Sequence, residues 1–291
     1  MKAPPFSYVR AASLADAFKL WSAAGPEAKL LAGGQSLLAT LAFRLSEPSA
    51  LIDISRVPEL TGISQAGNAI RVGAGTTHAE LGRHELIHRH VPLLAEAVPL
   101  IAHPAVRNRG TIGGSLAFAD PAAELPACCM ALDAVVIARS ARAERRIAAA
   151  QFFTGLYATA LGAGELIAAV EFPLARAGER STILELVRRS GDYAMAGVAA
   201  RAKVSGNTLA EPRLVFFGVG DRPVAAKRAM AAASGKPVTV ETVAAAQAAL
   251  DGDLEPPADQ HGSPQVKRHL ARVLLARALK RIAGVEEARA A

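Results

Sequence analysis

Two short stretches join paired glycines to a nearby serine: LLAGGQSLL at residues 30–38 and RGTIGGSLA at residues 109–117. A phosphate ester is held by several backbone N–H groups aimed at it, and a Cβ atom blocks that approach. Bare backbone running into a helix start adds a favourable dipole. Gly33 and Gly34 lie between an apolar run and a leucine-rich stretch, and Ser36 and Ser115 add hydroxyl donors. One glycine pair most often marks a turn. Two of the same form in successive α/β segments predict loops on either side of a pyrophosphate.

Other chemistry is present in name but poorly placed. HELIH, residues 84–88, matches HExxH, in which two histidines one helical turn apart bind zinc beside a glutamate base. Its helix is predicted to end at once, at Val91-Pro92, and His90 is too close to serve as a third ligand. A solvated helix face is the preferred reading. RVGAGTTHAEL (71–81) and FFGVGDRP (216–223) are fragments of a dinucleotide fingerprint, yet neither completes GxGxxG, and there is no Walker loop or GxSxG elbow. Asp120 and Glu124 could form an acid/base pair, although two lone carboxylates are more often caps. Cys128 and Cys129 are the only cysteines, adjacent, and read as buried and reduced.

Three units are expected to position these residues. The first, 1–56, reads as a helix over 13–24 with Ser13 as N-cap, a strand over 29–32, a helix over 36–45 and a strand over 51–55. The second, 57–175, reads as a strand at 68–77, a helix over 78–90, the glycine loop, a helix leading into a strand over 123–140, and a strand over 164–174. The third, 176–291, opens on a polar linker, RAGERS, and continues with a hairpin over 196–220 that turns at SGN. Helices fill the rest, apart from a polar loop over 251–264. The last, over 265–284, is expected to turn Val266, Leu270, Val273, Leu274 and Ile282 inward and its basic residues outward.

At 291 residues, with a net charge of +7, one tryptophan and three tyrosines, the chain has too few stacking residues for a nucleic-acid binder. The basic surface suits an acidic protein partner or a phosphate-bearing ligand. The N-terminus MKAPPFSYVR lacks the apolar core of a signal peptide, so a cytoplasmic location is expected.

LAGGQSLLATLAFRLSEPSALIDISRV (31–57) and HPAVRNRGTIGGSLAFADPAAELPA (103–127) resemble the FAD-binding medium subunit of molybdenum hydroxylases, in the group of carbon monoxide dehydrogenase and xanthine dehydrogenase. RRSGDYAMAGVAA (188–200) and PPADQHGSPQVKRHLARVL (256–274) resemble that family's C-terminal domain, so the resemblance covers nearly the whole chain. It implies an α+β fold: a two-subdomain PCMH-type FAD-binding domain, then an antiparallel sheet with helices. Ala32, Gly33, Gly34, Gln35 and Ser36 match the first FAD loop; Thr111, Ile112, Gly113, Gly114 and Ser115 match the second. Glu124 falls where relatives place an acidic residue near the cofactor, Ile101 and Ile167 where apolar side chains approach the flavin, and Tyr193 where an aromatic covers it. Many relatives carry a lysine in place of Glu185, which leaves the flavin's surroundings open.

The resemblance further implies electron transfer from two [2Fe–2S] clusters on a small subunit, through FAD here, to an external acceptor. A molybdenum-pterin cofactor would sit on a large subunit, and the assembly would be a dimer of heterotrimers. With two cysteines, the chain cannot carry the cluster-binding insertion of relatives that reduce hydroxybenzoyl-CoA. The substrate and the acceptor stay open, NAD being least favoured. A self-sufficient FAD oxidoreductase, a non-catalytic assembly module and a zinc hydrolase are the competing expectations.

Overall fold

The computed structural model describes residues 3–285. In the first of three successive sheets, strand Ala50–Asp53 lies between Ser7–Arg10 and Lys29–Leu31 and is parallel to both. Parallel neighbours need crossovers, and helix Leu14–Ala24 makes the first. Ser13 Oγ accepts from the Asp16 N–H at 3.1 Å, capping this helix as expected. Leu14, Ala17, Phe18 and Trp21 then pack into a cluster with Ile52, Val57 and Leu60. The second helix is shorter than its leucine periodicity predicts. It spans Leu37–Ala42 and closes where Arg44 turns left-handed, at φ 56°. Leu41 is buried, but Leu38 and Leu45 face solvent.

The second sheet is antiparallel, in the order Ile63–Ala66, Ala69–Gly73, Leu166–Pro173, Val135–Arg139, Glu144–Ala148. Its central strand is apolar on both sides because both sides are covered. Ile167, Val170 and Phe172 enter the cluster under the helices, whereas Leu166, Ala168 and Ala169 pack against the first unit. The single helix expected over 78–90 is instead two, His78–Leu81 and Glu85–His90. Thr77 and Glu80 close a capping box on the first, so each short helix has its own start. His84 is the N-cap of the second, in extended conformation, and its Nδ1 accepts from the Leu86 N–H. His88 Nε2 donates to the Gly82 carbonyl at 2.8 Å. The two histidines of HELIH therefore do not share a helical face, and the geometric ground for a zinc pair is gone.

The third sheet runs Glu179–Leu186, Ala196–Ser205, Thr208–Phe217, Val224–Ala225. The SGN turn is present: Ser205 pairs with Thr208 across Gly206 at φ 59°. Strand Glu179–Leu186 occupies much of what reads as a polar linker; its charged first residues conceal the strand. Alternate residues serve two cores. Ala196, Val198, Ala200 and Phe216 pack under helices Lys227–Ala233, Val240–Leu250 and Pro264–Ala283, while Ala199, Val215 and Phe217 join the second unit's cluster. The last helix departs from expectation at its first turn. Val266 is 44% exposed, and Lys267, expected outside, is 2% exposed. Among the described residues no helix is long and apolar enough to cross a membrane.

Candidate functional site

Strand Lys29–Leu31 delivers the chain into the first glycine loop, residues 32–36, and helix Leu37–Ala42 takes it away. Gly34 has φ 74°, a conformation that L side chains rarely adopt. Gly33 is required for another reason. A Cβ there would stand 2.0 Å from the Arg109 carbonyl oxygen and 2.9 Å from the Gly110 Cα, so the first loop sits directly on the entry to the second. None of the backbone N–H groups of residues 33–36 has a hydrogen-bond partner among the described residues; the loop's bonds are to its carbonyls, Gly33 accepting from Gln35 Nε2 at 3.2 Å, and Gly34 and Ser36 from the Leu38 and Thr40 N–H groups at 3.0 and 3.1 Å. Ala32 and its neighbours are partly exposed and Gln35 is exposed. Consecutive unpaired N–H groups at a bare turn form an anion-binding concavity.

The second loop, residues 111–115, is built in the opposite way. His78 N–H donates to the Gly110 carbonyl, Ile112 N–H to Thr76 and Gly113 N–H to Ala74, at 2.9, 3.1 and 2.8 Å, forming a short ladder with residues 74–78. Gly114 N–H donates to Thr111 Oγ1 and Ser115 N–H to the Thr111 carbonyl, both at 3.0 Å. Every N–H from Ile112 to Ser115 is thus paired inside the chain. A Cβ on Gly113 would lie 2.5 Å from the Ala74 Cβ, so this glycine allows close packing and presents no N–H to a ligand. What the loop can still offer is the Thr111 hydroxyl proton, beneath its N-capping bond, and the Ser115 hydroxyl at its partly exposed edge. The sequence treats the two glycine pairs as equivalent; the structure does not.

Helix Ile112–Phe118 leads from this loop to Ala119, left-handed at φ 53°, and then to Asp120. At 1.5 Å per residue that separates the loop from Asp120 by about 10 Å. Here a group of carboxyls gathers. Glu124 opens helix Glu124–Ala131 and is 8% exposed. Burial pushes its carboxyl up to about 8; its own N–H opposes this, and Glu185 and Asp120 add to it. Glu185 projects from strand Glu179–Leu186 between Ile183 and Val187, both packed toward the second unit's cluster. Its buried Oε2 has no partner among the described residues, and burial raises the carboxyl to about 7. Asp120 is also raised by burial, against bonds from the Ala122 N–H and the Tyr157 hydroxyl. Tyr157, left-handed at φ 51°, packs edge-on to Phe118 with ring centroids 5.1 Å apart.

Tyr193 is 57% exposed, and burial of its phenol together with nearby Asp120, Tyr157 and Glu124 raises its proton affinity. Its segment, residues 187–195, is anchored at Gly191, where φ is 88° and a Cβ would strike the His103 ring at 2.5 Å. The structure therefore gathers Glu124, Glu185, Asp120, Tyr157 and Tyr193 around one spot. Ile101 and Ile167 are 8% and 5% exposed, and their side chains belong to the second unit's core cluster. Sequence reasoning passes over Tyr157, His103 and Gly191. Only the left-handed tyrosine leaves a signal, in the turn-like GLYAT of 155–159. Clefts of about 400 and 270 Å³ lie between the last two helices and at the turn 139–144, away from both loops.

Comparison with known proteins identifies the family. Residues 4–175 match the family described as FAD binding domain in molybdopterin dehydrogenase, and residues 182–282 the CO dehydrogenase flavoprotein C-terminal domain. The fold and the two family matches thus define a flavoprotein class. The chain belongs to the family of FAD-binding subunits of molybdenum hydroxylases, and is an oxidoreductase component. It is 39% identical to the 6-hydroxypseudooxynicotine dehydrogenase complex subunit alpha of Paenarthrobacter nicotinovorans, covering 96% of this chain and 95% of that one. It is 37% identical to the carbon monoxide dehydrogenase medium chain of Hydrogenophaga pseudoflava, over 95% and 96% of the two chains. A structure of that organism's carbon monoxide dehydrogenase superposes with a TM-score of 0.95, covering 99% of this chain and 100% of the other. Quinoline 2-oxidoreductase of Pseudomonas putida 86 does so at 0.92, with 38% identity, over 98% and 99% of the two chains.

Proposed function

We propose that the chain holds one FAD and relays electrons from the [2Fe–2S] clusters of a small partner subunit to an external acceptor. The substrate is handled at a molybdenum-pterin cofactor on a large subunit, in a dimer of heterotrimers. The observation that carries this reading is the row of N–H groups at residues 33–36 with no partner among the described residues, seated on residues 109–110. Relatives named medium chain or medium subunit support the multi-subunit setting.

Bound FAD supplies the redox chemistry, since it takes up electrons singly or in pairs and gives them up in either way. The N–H groups of residues 33–36 hold the pyrophosphate oxygens, with the Ser36, Thr111 and Ser115 hydroxyls beside them. Ala32, Ile112, Gly113 and Gly114 shape the walls, and Ile101 and Ile167 back the ring site. Tyr193 would cover the isoalloxazine. Glu124, raised to about 8, keeps a proton on its carboxyl at neutral pH and can donate it in a hydrogen bond; Glu185, raised to about 7, shares that environment.

The test is the visible absorption spectrum of the purified chain after incubation with FAD and removal of excess, followed by metal analysis of the complex from its native host. Retained flavin bands, with molybdenum and iron in the complex, are expected. A complex free of flavin overturns the reading. Flavin without either metal overturns the electron-relay part and favours a self-sufficient oxidoreductase.

A further inference from the structure

FFGVG completes no nucleotide fingerprint, yet its first glycine sits where several segments meet. Gly218 follows strand Thr208–Phe217 with φ 74°, and a Cβ there would stand 2.7 Å from the Ala194 carbonyl oxygen. Its N–H donates to the Pro121 carbonyl at 2.8 Å. Pro121 lies between Asp120 and Glu124, and Ala194 is next to Tyr193. Gly218 is therefore wedged between the two segments that carry the proposed flavin-facing groups.

Its own carbonyl accepts from Lys267 Nζ at 3.0 Å. Lys267 is 2% exposed, and a buried ammonium persists only when paired and hydrogen-bonded. Asp259 completes the pair at 2.5 Å. The same carboxylate also orders its loop, accepting from the His261 and Gly262 N–H groups at 2.8 and 3.2 Å. From that loop the Gln260 carbonyl accepts from Arg188 Nη2 at 2.8 Å, and Arg188 stands near the start of the segment bearing Tyr193. Two ties thus run from one C-terminal loop and helix to both ends of residues 188–194.

We propose that Lys267 is a positioning residue for the flavin site: acting through Gly218, it sets Tyr193 relative to Asp120 and Glu124. The proposal rests on the flavin reading above. It explains why the helix turns a lysine inward and leaves Val266 in solvent. An apolar residue at 267 would leave the Gly218 carbonyl without its donor and release the wedge.

The experiment uses the full chain loaded with FAD and reads three quantities: FAD affinity, fluorescence of the bound flavin, and apoprotein melting temperature. An aromatic ring lying against the flavin quenches its fluorescence, so Tyr193→Ala calibrates the uncovered state. Lys267→Met is expected to raise bound-flavin fluorescence several-fold toward that value, Lys267→Arg to restore quenching, and Arg188→Ala to move it part of the way. A Lys267→Met protein that melts lower but quenches like the wild type overturns the proposal and leaves Lys267 as a staple only. If Lys267→Met does not fold, Arg188→Ala and Asp259→Asn decide, and unchanged quenching in both overturns it. A wild-type chain and native complex that hold no flavin overturn the underlying reading, and this proposal with it.

Discussion

The two glycine loops are written alike and built unlike. At residues 33–36 the backbone N–H groups have no partner among the described residues, whereas at residues 112–115 all are bonded within the chain. The glycines differ accordingly. Gly34 supplies a left-handed turn, and Gly113 supplies room for the Ala74 backbone. The lesson is that paired glycines serve both to expose donors and to let backbones touch. On the proposed reading the first loop would be the anion cradle, and the second a rigid floor that would contribute hydroxyls.

Substitutions can break that contrast or sharpen it. The largest effect is expected from Gly113→Val, whose side chain has nowhere to go between residues 74 and 113. A stability loss of about 3 kcal/mol or more is expected in denaturant unfolding of the apoprotein, with FAD retention lost alongside. If the variant folds normally but cannot hold FAD, the floor is itself a cradle and the contrast fails. Gly34→Val should do the reverse. Its left-handed backbone costs about 1–3 kcal/mol of stability, and distortion of the N–H row should weaken FAD binding by roughly tenfold or more, about 1.4 kcal/mol. Titration of the apoprotein with FAD checks this.

Acidity sharpens the other end of the site. Glu124 titrates near 8 in the fold and near its ordinary value when unfolded, so the folded state keeps a proton that the unfolded state gives up. Stability is unaffected by this group below its unfolded value of 4.5 and falls as pH rises from there to about 8. The slope within that window is about 1.4 kcal/mol for each pH unit. Apoprotein melting temperature should therefore decline across that range, and Glu124→Gln should flatten the decline. Glu185, at about 7, acts in the same direction over a narrower window. The smallest effect belongs to Ser115→Ala. Loss of one rim hydroxyl should weaken FAD binding by about 0.5–1.5 kcal/mol and leave the melting temperature unchanged. A Ser115→Ala protein with unaltered affinity removes Ser115 from the cradle and leaves Thr111 as the second loop's one hydroxyl there.

Much of the fold was legible because its signals are local. The helix after Ser13, the SGN hairpin and the central strand of the second sheet follow from capping, turn chemistry and apolar runs that short windows contain. The failures have a common cause. The break between Leu81 and Glu85 depends on a capping box that competes with helical periodicity. Strand Glu179–Leu186 hides behind charged residues because its neighbour is Ala196–Ser205 and not anything adjacent in sequence.

The sequence by itself determined which segments are bare, which are apolar, and to which family the motifs belong, because glycine, capping residues and periodicity act over a few residues. Only the tertiary structure decided that Gly33 meets the Arg109 carbonyl, that the N–H groups of residues 112–115 are already bonded, and that Lys267 turns inward to Gly218. Those outcomes depend on backbone brought together from distant parts of the chain. Whether an N–H is open to a ligand or bonded to a carbonyl is settled by what folds against it.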